Sequence, residues 1–174
     1  MFAFKNIASL GAVGGLVVLS ACGDLPAKPP RTTGVQVVAE KGATRVIQGI
    51  VAGPGADLSN MDLSTEDLSE LDLTGANFSG SVFTKAYLSR SILVGANFTG
   101  ADIDSSNAYR ADFSNANLTN ATLRGINLEE ANFTGATLTG AIFNYAHLLR
   151  ATFDEGAFAI ASFSGATMPD GSIG

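Results

Sequence analysis

Residues 56–80 read Ala-Asp-Leu-Ser-Asn, Met-Asp-Leu-Ser-Thr, Glu-Asp-Leu-Ser-Glu, Leu-Asp-Leu-Thr-Gly, Ala-Asn-Phe-Ser-Gly. From Leu58 onward every fifth residue is a centre, and the phase holds to Met168 without an insertion, giving 23 pentads over residues 56–170. Eleven centres are Leu and nine are Phe; the others are Ile103, Ala108 and Met168. Two places before the centre stands a small residue, Ala in fifteen pentads and Ser81, Ser91, Ser106 or Gly156 in four more. A period of five matches neither the 3.6 residues of a helix turn nor the two of a strand. The pattern becomes useful if the large and the small residue both point inward. The remaining three positions, mostly Asp, Asn, Ser, Thr and Gly, suit water and tight turns.

These pentads resemble the pentapeptide-repeat family, whose motif is Ala-Asp/Asn-Leu/Phe-x-x. The resemblance covers about two thirds of the chain. It implies an all-β fold, a right-handed quadrilateral β-helix with one pentad per face and four per coil. Stacked coils share backbone hydrogen bonds as a parallel sheet does, about 4.8 Å apart, so the solenoid has about six coils and a length of about 28 Å. Each coil buries its faces only against its neighbours, so stability accumulates along the stack. Met61, Glu66 and Leu71 replace the small residue in the first coil, which has a neighbour on one side only. Ala108 is a small centre and Ile126 a large residue in the small position, a pair expected to offset one another in volume.

Both ends of the repeat need cover, because an open coil exposes unpaired backbone groups. Before it, in residues 34–55, Val35 and Val37 and then Val46, Ile47, Ile50 and Val51 flank Glu40-Lys41-Gly42. They predict two short strands around that turn, forming a β cap. After it comes only a tail, residues 171–174. The last large aromatic centres are Phe153, Phe158 and Phe163. Coil ends in the family often pair, so two arrangements are open: a homodimer through the C-terminal coil, or a polar tail folded over the end.

The first 21 residues read as a signal peptide. Lys5 is the one charge before thirteen uncharged residues from Ile7 to Leu19. That run is too short to span a bilayer comfortably. Leu19-Ser20-Ala21-Cys22 then resembles the lipobox of bacterial lipoproteins. The resemblance implies cleavage before Cys22, a diacylglyceryl thioether on its sulfur and an acylated new N-terminus, hence a membrane-anchored, periplasm-facing protein. Several acyl chains anchor stably where one does not. Among such lipoproteins Asp directly after the cysteine favours the inner membrane; Gly23 stands there, so the outer membrane is mildly favoured. Residues 22–33 hold Pro26, Pro29 and Pro30 with Lys28 and Arg31, a semi-extended tether.

Composition narrows the chemistry. One cysteine excludes an internal disulfide framework and Cys-rich zinc sites, and one histidine removes most metal centres and most Ser-His-Asp arrangements. The Ser, Thr and Asp residues follow the repeat, with no phosphate loop or nucleophile elbow among them. No catalytic, metal or cofactor site is assigned. A net charge of −6 argues against a nucleic-acid partner.

Residues twenty apart stack on one face. Asp57, Asn77, Asn97 and Asn117 form one column, and Ser59, Ser79, Thr99, Thr119 and Thr139 another; both are expected to be structural. On the third face Glu70, Arg90, Arg110, Glu130, Arg150 and Asp170 align. This is either a solvated ion-pair ladder or a place for an anionic group beside the Arg90–Arg110 step. Tyr87, Tyr109, His147 and Leu149 lie on the same face, and with Arg90, Arg110 and Arg150 they make the candidate partner face, Tyr and Arg being common interface anchors. The function expected is that of a non-enzymatic lipoprotein scaffold binding an envelope protein. The alternative follows from family members that are acidic rods resembling duplex DNA and bind gyrase. Residues 56–170 carry fourteen acids and five bases, net −9, but the acids concentrate in the first coils and an exported protein does not meet that topoisomerase.

Overall fold

An outward residue lies between the two inward ones of each pentad, and its backbone is extended. It is therefore free to pair with its counterpart one coil away. The computed structural model describes residues 45–174, and its ladder follows that interval. Asp57 bridges Asn77 in parallel, and Asn77, Asn97, Asn117 and Thr137 continue the column. Three further columns begin at Asp62, Asp67 and Asp72. Four columns offset by five residues close a four-sided coil, so the repeat is an all-β quadrilateral helix. Each rung has two bonds: the Leu58 N–H donates to the Asn77 carbonyl (2.8 Å), and the Asn77 N–H donates back to the Ala56 carbonyl (2.8 Å).

Corners between faces are β-turns. The Leu73 carbonyl accepts from the Ala76 N–H at 3.0 Å, and the third turn residue takes a left-handed φ, the requirement of a type II turn. Gly95 meets it at φ 66° without strain, whereas Thr65 (63°), Lys85 (61°) and Tyr145 (62°) meet it against their own preference. The outward Asp or Asn locks the corner from the other side. Asp62 Oδ1 accepts the Ser64 N–H at 3.0 Å and Asp112 Oδ1 that of Ser114 at 3.0 Å, the Asx-turn bond.

Centres and small residues fill the interior as the period predicts. Leu58, Phe78, Phe98, Phe113, Phe133 and Phe143 are fully enclosed, as are Ala76, Ala96 and Ala116. Phenyl rings twenty apart stack: Phe78 on Phe98 at 4.9 Å, Phe113 on Phe133 at 5.0 Å, and Phe133 on Phe153 at 4.7 Å. Ala108 and Ile126 are both buried, and Leu71 is accommodated inside the first coil. Buried Ser81 uses its hydroxyl as a structural water would. It donates to the Leu58 carbonyl at 2.6 Å and accepts the Met61 N–H at 3.2 Å. Ser106 does the same between Phe83 and Ala86.

Two expectations need correction. Val46 to Val51 is not one strand: β1 (Arg45–Ile47) and β2 (Ile50–Ala52) form an antiparallel hairpin. Gln48 (φ 48°) and Gly49 (φ 86°) turn it, the two positive angles that a two-residue hairpin loop takes. The expected turn at Glu40-Lys41-Gly42 and the strand before it lie outside the described residues. The hairpin buries Ile47 and Ala52 with the first coil, where Gln48 Nε2 donates to the Asp62 carbonyl at 2.7 Å and Arg45 meets Asp67 at 3.4 Å.

The second correction concerns the pentad 156–160. Its Phe158 is not an inward centre, because Ala157–Ala159 form a 3-10 turn that leaves the ring 46% exposed. The regular course resumes at Ser162, which bridges Ile142. Beyond Thr167 the tail folds back. Ile173 pairs antiparallel with Thr167, and the Gly174 N–H donates to the Ala166 carbonyl at 2.9 Å. The tail thus lies folded against the last coil, as one of the two expected arrangements has it.

Truncating a stacked ring removes apolar burial and leaves a cavity, so Phe98→Ala is expected to cost about 3–5 kcal/mol in denaturant unfolding. Thr65→Asn should instead raise stability, by up to about 1 kcal/mol, because Asn tolerates the left-handed corner that a β-branched residue resists; an unchanged or lower unfolding midpoint would contradict the strain assigned to that corner.

Candidate functional site

The third face carries its charges at corners, since Arg90, Arg110, Glu130 and Arg150 all occupy the left-handed turn position (φ 57° to 60°). Side chains there project away from the stack and reach one coil up or down. Arg90 reaches down, its Nη1 lying 3.3 Å from Glu70 Oε1. Arg110 reaches up, donating from Nε to Glu130 Oε2 at 2.6 Å, and Arg150 approaches the other Glu130 oxygen at 3.6 Å. The Arg110 hydrogen bond holds the Glu130 carboxyl below the ordinary carboxylate range, and Glu130 in turn raises the Arg110 guanidinium. The same guanidinium lies over the Tyr109 ring, 4.9 Å from its centroid.

Because Arg90 and Arg110 take opposite partners, their heads diverge. The like-charge step predicted between them becomes an open groove of about 450 Å³, lined by Glu70, Arg90, Ser91, Ile92, Arg110 and Asp112. The two arginines meet two acids there, so the groove is mixed in charge.

The predicted partner face divides into two groups. Exposed Tyr87 with Arg90, and half-buried Tyr109 with Arg110, stand on adjacent coils, and of these four only the arginines line the groove. Exposed His147, half-buried Leu149 and Arg150 lie further along. Tyr87 and His147 share one column, but Asn107 and Asn127 separate them, a distance of about 14 Å by sheet spacing. They do not converge on one point.

At the C-terminal coil, Phe153 is half-buried, Phe163 is buried, and only Phe158 is exposed. The three rings cluster, with Phe158 5.4 Å from Phe153 and 5.0 Å from Phe163. Cys22 lies outside the described residues. Among the described residues no three metal-ligating side chains gather, and no helix is long and apolar enough to cross a membrane.

Sequence reasoning missed a further ion pair, on the second face. Arg124 meets Asp104 at 3.6 Å while Asp104 Oδ1 accepts the Arg124 N–H at 2.7 Å. Their separation of twenty residues was the available signal.

The Pentapeptide repeats family matches residues 55–90, 81–120, 111–144 and 131–168, in eight copies. The chain belongs to the pentapeptide-repeat family. Among solved structures it is similar to HetL, a pentapeptide repeat protein involved in heterocyst differentiation regulation from the cyanobacterium Nostoc sp. strain PCC 7120. Identity is 28% and the TM-score 0.46, over 70% of this chain and 65% of that one. It is also similar to a pentapeptide repeat protein of the Arabidopsis thaliana thylakoid lumen, at 30% identity and TM-score 0.35, over 56% of this chain and 71% of that one. QnrB1, a plasmid-mediated fluoroquinolone resistance protein, aligns at 21% identity and TM-score 0.30, over 65% of this chain and 67% of that one. No match is found among curated proteins.

Within this pentapeptide-repeat stack the central acid of the charged column is Glu130. Its carboxyl titrates lower in the folded than in the unfolded chain. Its contribution to stability is therefore present above the ordinary carboxylate range and is lost as pH falls through the lowered value. Arg110→Ala is expected to return the Glu130 titration toward the ordinary range, and Arg150→Ala to move it less, since the Arg110 bond is the main cause. Site-resolved NMR titration of the Glu130 carboxyl would reverse the assignment if Arg150→Ala had the larger effect.

Proposed function

We propose that this chain is a non-enzymatic lipoprotein, anchored in a bacterial membrane by acyl chains on Cys22, whose β-helix is a scaffold for another protein of the cell envelope. In full the stack is right-handed, with nearly six coils. The observation that carries the scaffold role is the use of large side chains. Nearly every centre is buried in the stack, so the surface offers flat faces and charged corners instead of an enclosed cleft. On such a surface the third face has the side chains best suited to a protein partner, Tyr87 and Tyr109 beside Arg90 and Arg110, with the two arginines lining a groove.

The anchor rests on the sequence. A short apolar run, a lipobox at Leu19-Ser20-Ala21-Cys22 and a proline-bearing tether follow one another in the order a lipoprotein needs. Gly23 after the cysteine favours the outer membrane. The exposed Phe158 ring at the C-terminal coil supports self-association there as a second contact.

The deciding measurement is the intact mass of the protein from its native cells, with the membrane fraction recorded. A mass beginning at Cys22 and carrying acyl chains is expected. A soluble cytoplasmic form retaining Met1 would remove the anchor and bring forward the acidic, duplex-like rod as a ligand for a topoisomerase.

A further inference from the structure

The backbone ladder has one gap. Each centre from Leu58 to Leu148 donates its N–H to a carbonyl one coil on, except Leu138. Among the described residues neither the Leu138 N–H nor the Ala136 carbonyl has a hydrogen-bond partner. Beside them is a half-open pocket of about 260 Å³, lined by Phe133, Leu138, Asp154, Glu155, Ala157 and Ile160. The regular coils all pair this N–H, so the gap needs a physical account.

Position identifies the group that fits. The column of centres on this face runs Leu58, Phe78, Phe98, Leu118, Leu138, and its next member is Phe158, whose ring is 46% exposed at the end of the stack. Length agrees. The bridges on either side, Asn132 to Thr152 and Ile142 to Ser162, keep the regular interval of twenty. The intervening segment is thus as long as a regular pentad course requires, and no residue need be inserted or slipped.

The contacts that hold the observed course are few and exchangeable. Asp154 Oδ2 accepts the Gly135 N–H at 2.6 Å, taking the place that the backbone carbonyl of this position occupies in other coils. The Ala157 N–H, which a regular rung would give to Ala136, turns back to the Asp154 carbonyl at 3.3 Å. Gly140 donates to Ile160, one residue beyond the usual acceptor. Gly156 enters the turn at φ 90°, in a position that holds Ala in most other pentads.

We infer that the group that fills this pocket is the chain's own Phe158 ring, and that residues 154–160 are a two-state element. In one state the 3-10 turn holds Phe158 away from Leu138, part-exposed against Phe153 and Phe163. In the other the pentad is regular, Phe158 packs on Leu138, and Ala157 bonds both Ala136 and Leu138. The exchange covers or uncovers the apolar end of the stack without disturbing the coils below it. It depends on neither the membrane anchor nor the third face.

Two single substitutions in the full-length chain test it. Gly156→Ala strains the positive φ of the observed turn and suits the inward small position. Asp154→Ser removes the carboxylate from Gly135 and supplies the residue type common at that corner. Hydrogen exchange at the Leu138 N–H is expected to slow about tenfold in either variant, with Leu128 and Leu148 unchanged. A nuclear Overhauser contact between the Phe158 ring and the Leu138 methyls should appear alongside. Unchanged or faster exchange at Leu138 in both variants overturns the two-state element, and so does slower exchange without the ring contact.

Discussion

The bond from a centre's N–H to the carbonyl nineteen residues on is the constraint on which the rest of the structure depends. Once it repeats, the chain must return to the same place every twenty residues, and it must turn four times to do so. Each turn needs a left-handed residue at its third position. Each straight piece is short, just long enough for one outward side chain between two inward ones. The large inward residue fills the axis and the small one fits beside the corner. The outward Asp or Asn and the Ser or Thr after its neighbour are then selected by the Asx-turn bond, as at Asp72 and Thr74, where Oδ1 accepts from both the backbone N–H and the hydroxyl. Residue preferences at all five positions therefore have one origin.

That origin explains which parts were legible in the sequence. Side-chain volume is written directly in the residues, so the inward positions from Leu58 to Leu148 could be read from the period alone. The left-handed corners could not. Glu70, Lys85, Arg90 and Tyr145 occupy them, and none of these carries a local preference for positive φ; the ladder imposes it. The columns of the third face followed from counting by twenty, but the direction in which each arginine turns did not. Arg90 has Glu70 on one side and Arg110 on the other, and only the three-dimensional course shows that the two arginines diverge.

The misread pentad at 156–160 shows the limit of composition as evidence. Gly156 and Phe158 satisfy the motif, yet the motif records only that a regular rung is feasible. Which course is taken depends on whether local bonds outcompete the rung. Here an acid at position 154 and a glycine at 156 supply an alternative set, and near the end of the stack less packing opposes it. The hairpin at residues 45–52 makes the same point in reverse. Its apolar residues suggested one strand, and Gln48-Gly49 divided it because two adjacent positive angles end strand pairing within two residues.

A solenoid of this kind separates folding from recognition more cleanly than most folds. The inward positions and the Asx corners carry the stability, while the side chain at the left-handed corner varies most, from Gly95 to Arg110 to Tyr145. Information for a partner can then accumulate only along outward columns, in steps of one coil spacing. The third face uses that freedom unevenly. Glu130 is shared by two arginines, so its corner is electrostatically satisfied and offers a partner little. Between Arg90 and Arg110 the ladder of opposite charges is interrupted, and the interruption exposes a groove lined in part by the half-buried Ile92. A partner bound there would cover Ile92, while the surrounding charges would set its orientation. Recognition is therefore expected where the periodic pairing fails, for the same reason that conformational freedom is found where the backbone rung fails.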